Sequence, residues 1–312
     1  DVDITSSGAN VGPLACVINN TAAVISNCST QGKMEIVGNT SITVTIDKYL
    51  QYGGVVGYNY SEVSKVKDTD KSAFNNITAD VDIILTGEFS VPPHVCGVVG
   101  VVQGSMENVT HIGSVTFDAT INNQSIYVYG LTYVAKGGLI NCVNGIAGSD
   151  GSAGAVTVTE NAKCTNVLIG GIEEQGYTKL ENCHNYGNLT VESNHAILIC
   201  GGIFRWPSGT VTLTNVTNHG KISISGEGTN YCTVGGLIGT NDGGALTMTN
   251  CHNYGDIEFD SKFNNNNVLN LGGLAAALNK GKYATTLDGC NNYGEISFSG
   301  KITGEEKNLY VG

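Results

Sequence analysis

The segments NCHNYGNLTV (182–191) and NCHNYGDIEF (250–259) each set a cysteine beside a histidine, and GCNNYGEISF (289–298) keeps the cysteine. A thiolate and an imidazole together can ligate zinc or activate a nucleophile. The other copies of the motif argue against both. The cysteine position reads Cys28, Val109, Cys142, Cys183, Val216, Cys251 and Cys290 along the chain. Exchange with valine is the behaviour of a small buried hydrophobe. The following position reads Ser29, Thr110, Val143, His184, Thr217, His252 and Asn291, a set in which nothing demands a ligand. One copy, carrying Thr217, separates His184 from His252. Stacked strands would hold the two histidines about 9.6 Å apart, too far to share one zinc. No metal and no cofactor is expected. In-register stacking points neighbouring thiols parallel, so free buried cysteines are expected rather than disulfides.

Other residues offer binding chemistry. FRWPSG (204–209) holds the only arginine, Arg205, and the only tryptophan, Trp206. A cation beside an aromatic plane suits sugar stacking or protein contact. Tyr186, Tyr254 and Tyr293 share the position before the motif's glycine, with His219 between the first two, and form a candidate aromatic stripe. DTD (68–70), NDGG (241–244) and NNNN (264–267) carry oxygen ligands but match no calcium-loop spacing. Asp80 and Asp82 alternate on one strand and point outward, and with Asp68 and Asp70 they read as solvated.

The element that positions these residues is a repeat. Two landmarks alternate along all 312 residues: N-C-x-N-x-G followed by an alternating strand, and an apolar G-G-[LIV] strand. A degraded copy of the first lies at FNNITADVDI (74–83), and equivalents recur every 31 to 43 residues or so. Each repeat reads as three short strands: KISI (221–224), CTVGGLI (232–238) and ALTMTNC (245–251) in one example. The fold class expected is all-β: a single-stranded right-handed parallel β-helix of about eight coils, one solenoid domain over 1–312 that begins and ends mid-repeat. Within it Asn185, Asn218, Asn253 and Asn292 should stack as an amide ladder. Gly187, Gly220, Gly255 and Gly294 should supply tight or left-handed turns.

Composition agrees. Apolar residues make up 41% and charged residues 13%, with 43 glycines and 4 prolines. The net charge of −12 disfavours nucleic acid and anionic lipid as partners. No run of 18 apolar residues offers a membrane-spanning helix. Nine N-x-[ST] sequons occur, among them Asn39, Asn59 and Asn188.

GGLIG (235–239), GGVVG (53–57) and NCHNYGDI (250–257) resemble the GLUG-type repeats of bacterial cell-surface proteins and the β-helical adhesin-like proteins of Bacteroides-type bacteria. The resemblance spans essentially the whole chain and implies an exported, surface-attached protein, a lipoprotein in form, that binds a glycan or a host or cell-surface protein. The expected function is a non-enzymatic extracellular scaffold or adhesin. The alternatives are a carbohydrate-active lyase or hydrolase, which would need converging carboxylates or a carboxylate and a lysine, and a purely structural stalk.

Overall fold

The computed structural model describes all residues except 1, 9, 19–22, 43–48, 60–72, 175–178, 208, 242, 265–267, 279–282 and 304–307. Every strand pairing between coils is parallel, and the chain winds as a right-handed β-solenoid. Val2–Ser6 lies at one edge of the longest sheet, and the eight passes that follow it begin at Val24, Ala73, Ser105, Gly138, Lys179, Val211, Leu246 and Thr285. Equivalent corner residues are 32 to 41 positions apart in the middle coils, and 49 between Asn27 and Asn76. That first coil exceeds the 31 to 43 expected from the sequence.

Each coil bends three times. The first bend is the asparagine of the N-C motif. Asn27, Asn76, Asn108, Asn141, Asn182, Asn215 and Asn250 all adopt left-handed φ of 51° to 55°, and Gly289 takes the position in the last coil at φ 63°. Asparagine tolerates this region because its short amide bonds locally. Here the amides also stack: Nδ2 of each donates to Oδ1 of the preceding coil at 3.0–3.2 Å from Asn76 to Asn215.

The second bend is the G-G landmark. The sequence presents CTVGGLI as one strand, but the chain turns within it. Gly228–Gly235 belongs to the second sheet and Ile238–Asn241 to the third. The third bend leads back to the longest sheet.

This path leaves two hydrophobic cores. One packs Met34, Ile83, Phe117, Val191 and Phe259 against Tyr52, Val128, Cys200 and Val234 of the second sheet. The other packs Phe74, Met106, Leu139, Leu213 and Met248 against Val56, Val99 and Ile238 of the third, and contains Cys142, Cys183 and Cys251. Cys28 and Cys290, in the first and last coils, pack on its ends half-buried. All ten cysteines are free thiols.

Between the cores runs the second asparagine ladder. Asn144, Asn185, Asn218 and Asn253 each donate from Nδ2 to Oδ1 of the next coil at 2.7–2.8 Å, ending on Asn292. The second Nδ2 proton goes to a glycine carbonyl of the same coil: Gly187, Gly220, Gly255 and Gly294 at 2.8–2.9 Å, and Gly154 for Asn144. His111 starts the ladder, donating from Nδ1 to Asn144 at 2.7 Å. The amide planes lie flat against the landmark glycines. A Cβ on Gly130, Gly171, Gly202, Gly236 or Gly273 would sit 2.4–2.6 Å from the amide carbon of Asn144, Asn185, Asn218, Asn253 or Asn292. Each sequence landmark is thus the steric condition for the other.

Gly187, Gly220, Gly255 and Gly294 do not take the left-handed conformation. They are glycine because a Cβ would meet the backbone carbonyl of the previous coil's glycine within 2.1 Å.

Candidate functional site

Outward-facing positions of the longest sheet form columns parallel to the solenoid axis. Register places His184 beside Val143 on one side and Thr217 on the other, with His252 beyond Thr217. His184 Nδ1 and His219 Nε2 both meet the Thr217 hydroxyl, at 2.7 and 3.0 Å. No group of three His, Cys, Asp or Glu side chains able to hold a metal occurs among the described residues.

Two positions on, Tyr186, His219, Tyr254 and Tyr293 stack in one unbroken row. Ring centroids are 4.7, 4.6 and 4.9 Å apart and planes are within 23°, 12° and 15° of parallel. The sequence sees three tyrosines with a gap; the structure fills the gap with the His219 imidazole. Centroid spacing of this size is that of offset-stacked rings, and it matches the spacing of the coils. Exposure rises along the row, to 43% at Tyr254 and 61% at Tyr293. Burial and the nearby His184 lower the His219 pKa, so the ring is neutral at neutral pH.

A parallel column of polar side chains accompanies the rings: Asn188 beside Tyr186, Lys221 beside His219, Asp256 beside Tyr254 and Glu295 beside Tyr293. Asn188 Oδ1 accepts from the Lys221 amide at 2.9 Å and Asp256 Oδ1 from the Glu295 amide at 2.8 Å. The coil before Tyr186 has Gly145 at the ring position, and the segment after it loops outward. Gly148, Ser149, Asp150 and Gly151 of this loop wall a groove of about 400 Å³ floored by Tyr186, His219 and Tyr254. Asp150 accepts from the Ser152 amide at 3.0 Å and its hydroxyl at 2.6 Å, which lowers the Asp150 pKa and keeps it ionised. Lys221 pairs with Glu258 at 2.6 Å, so Asp150 and Asp256 set the sign of the groove. A depression of similar size, about 370 Å³ around Asn122, Glu160 and Lys163, has no aromatic floor.

Arg205 lies elsewhere, and its guanidinium is not presented to solvent. It is 4% exposed and ion-paired with Glu174, itself 1% exposed, which also accepts from the Tyr129 hydroxyl. The sequence expectation of an arginine on a binding surface is corrected on this point, because its countercharge comes from the preceding coil. Trp206 is half-buried and covers the guanidinium at 5.1 Å. The pair occupies a cleft where the second and third sheets turn their outer faces together. At the third-sheet position facing this cleft three coils carry glycine (Gly57, Gly100, Gly239), and at Gly100 a Cβ would lie 2.4 Å from the Gln51 side chain. Three consecutive coils instead carry Tyr133, Glu174 and Arg205. Opposite them His94 is enclosed by Tyr49, Tyr127 and Tyr133 at 4.2–4.4 Å, with neither ring nitrogen hydrogen-bonded.

The remaining sequence candidates are scattered. Asp82 caps the next coil through the Ser114 amide and hydroxyl at 2.8 Å. Asn241 is buried and donates to Gly244. Asp68, Asp70, Asp242 and residues 265–267 lie outside the described residues.

No family model, curated protein or solved structure matches the chain. The likeness to GLUG-type repeats therefore rests on the quoted motifs alone, and what stands is the generic architecture: an all-parallel, regularly repeating β-solenoid. Among the described residues no helix is long and apolar enough to cross a membrane.

Proposed function

We propose that the chain is a non-enzymatic binding scaffold that holds neutral glycans at a cell surface, with the groove over Tyr186, His219 and Tyr254 as its site. The observation that carries the proposal is the pairing of a row of partly exposed aromatic rings with the carboxylates of Asp150 and Asp256 in one groove. Ring faces take the C–H faces of pyranoses, and carboxylates accept from vicinal hydroxyls. Asp150 and Asp256 repel uronates and sulfated chains, as does the net charge of −12. Binding is favoured over cleavage because each of these carboxylates already has an oxygen tied to the scaffold's own backbone. Location outside the cell belongs to the same proposal and is supported by the repeat resemblance.

The test is retention on immobilised neutral and acidic polysaccharides, with product analysis for cleavage. Tyr254→Ala should weaken binding to neutral glycans about tenfold or more, Trp206→Ala should not, and uronate polymers should pass unretained. Cleavage products, or retention equal in wild type and Tyr254→Ala, would overturn the proposal.

A further inference from the structure

The groove lies on columns that continue beyond it. Its floor and rim are built from the same two positions of successive coils, one ring and one polar side chain each, four times over from Tyr186 to Glu295. The rings recur every 4.6–4.9 Å along the solenoid axis. That interval is imposed by strand spacing, and an extended chain of equatorially linked pyranoses advances by close to the same distance per sugar. Chains that coil, such as α-1,4- or β-1,3-linked glucans, turn their rings away from a straight row.

We propose, resting on the glycan-binding reading above, that the ligand is an extended β-1,4-linked neutral polysaccharide lying lengthwise on the solenoid, one sugar per coil. The row fits this orientation, because it sets one partly exposed ring in each coil along the axis. The acidic column beside them, through Asp256 and Glu295, meets the equatorial hydroxyls that such a chain presents along its edge. The outward loop at residues 148–151 closes one end of the row, so the chain runs from there towards Tyr293 and past it.

The experiment measures Kd by calorimetry for soluble β-1,4-linked gluco-, manno- and xylo-oligosaccharides of two to six units, against malto- and laminari-oligosaccharides of equal length. Affinity should rise about fivefold per added sugar up to four units and then level. The coiling series should bind at least about tenfold more weakly at four units and above. Tyr293→Ala should remove the gain at the fourth sugar, and Tyr254→Phe should keep the length dependence. Affinity independent of length, or equal for coiling and extended series, would overturn lengthwise binding while leaving glycan recognition intact. Failure of every oligosaccharide and polysaccharide to bind would overturn both.

Discussion

Asn218 uses both protons of its amide and its oxygen. Nδ2 donates to Gly220 in its own coil and to Asn253 in the next, and Oδ1 accepts from Asn185. Removing it strands a donor on Asn185, an acceptor on Asn253 and the carbonyl of Gly220, all where water does not reach. A buried unpaired group costs about 1–3 kcal/mol, so Asn218→Ala should cost about 3–5 kcal/mol. Asn292 is exposed and makes two such bonds, accepting from Asn253 and donating to Gly294, and Asn292→Ala should cost about 1 kcal/mol. Urea denaturation midpoints of the two variants check the contrast, and equal losses would contradict a ladder in which interior members are the strong ones. This ladder was legible in the sequence because Asn and Gly recur at fixed offset. Its start was not, since His111 performs the donor role with a different side chain. Arg205 was misplaced for a related reason: its partner Glu174 is 31 residues earlier, and only the register of two coils brings them together.

At the scale of the element, the corner asparagines explain features that the sequence shows without a cause. Gly289 replaces Asn in the last copy because the corner requires left-handed φ, which those two residue types adopt most readily. Asn27, Asn76, Asn108 and Asn215 are also sequons, yet they arise from the corner itself: a left-handed Asn, an inward apolar residue, then an outward Ser or Thr. Asn215→Gly should keep the bend and lose the stacked amide bond to Asn182, at about 1 kcal/mol. Asn215→Val should add about 1–2 kcal/mol for a left-handed L-residue, more because valine is β-branched. Thermal denaturation separates them, and a valine variant as stable as the glycine one would mean that the corner can relax. The strand pattern was readable from alternation alone. The break within CTVGGLI was not, because both of its halves are apolar and the turn is dictated by the amide of Asn253 on the opposite wall.

For the whole molecule, the interior sets the pH at which the solenoid is most stable. Burial lowers His94 to a pKa of about 3, with Arg205 adding to the effect, and lowers His111 and His195 to about 4. Unfolding exposes these imidazoles, which then protonate near 6.5, so the unfolded chain takes up protons that the native one refuses and stability falls as pH drops from 6.5 towards 4. Half-exposed His184 and His219 add in the same direction. Glu173 acts oppositely. It is fully buried in the core, accepts from the Ala135 amide through Oε1, and is held well above its usual 4.5 by burial. The native state keeps this proton where the unfolded state releases it, so stability falls as pH rises above 4.5. Glu174 is raised by burial too, against the pull of Arg205. Between 4.5 and 6.5 three buried histidines outweigh Glu173, whereas above 6.5 Glu173 acts alone, Glu174 being held in its ion pair with Arg205. The thermal midpoint should therefore climb to a maximum near pH 6.5 and decline towards pH 8. Glu173→Gln should flatten the decline, gaining stability at pH 8 and little at pH 4.5. A midpoint rising monotonically through pH 8, or a glutamine variant with an unchanged profile, would show that Glu173 is ionised in the native core and has found a counter-charge.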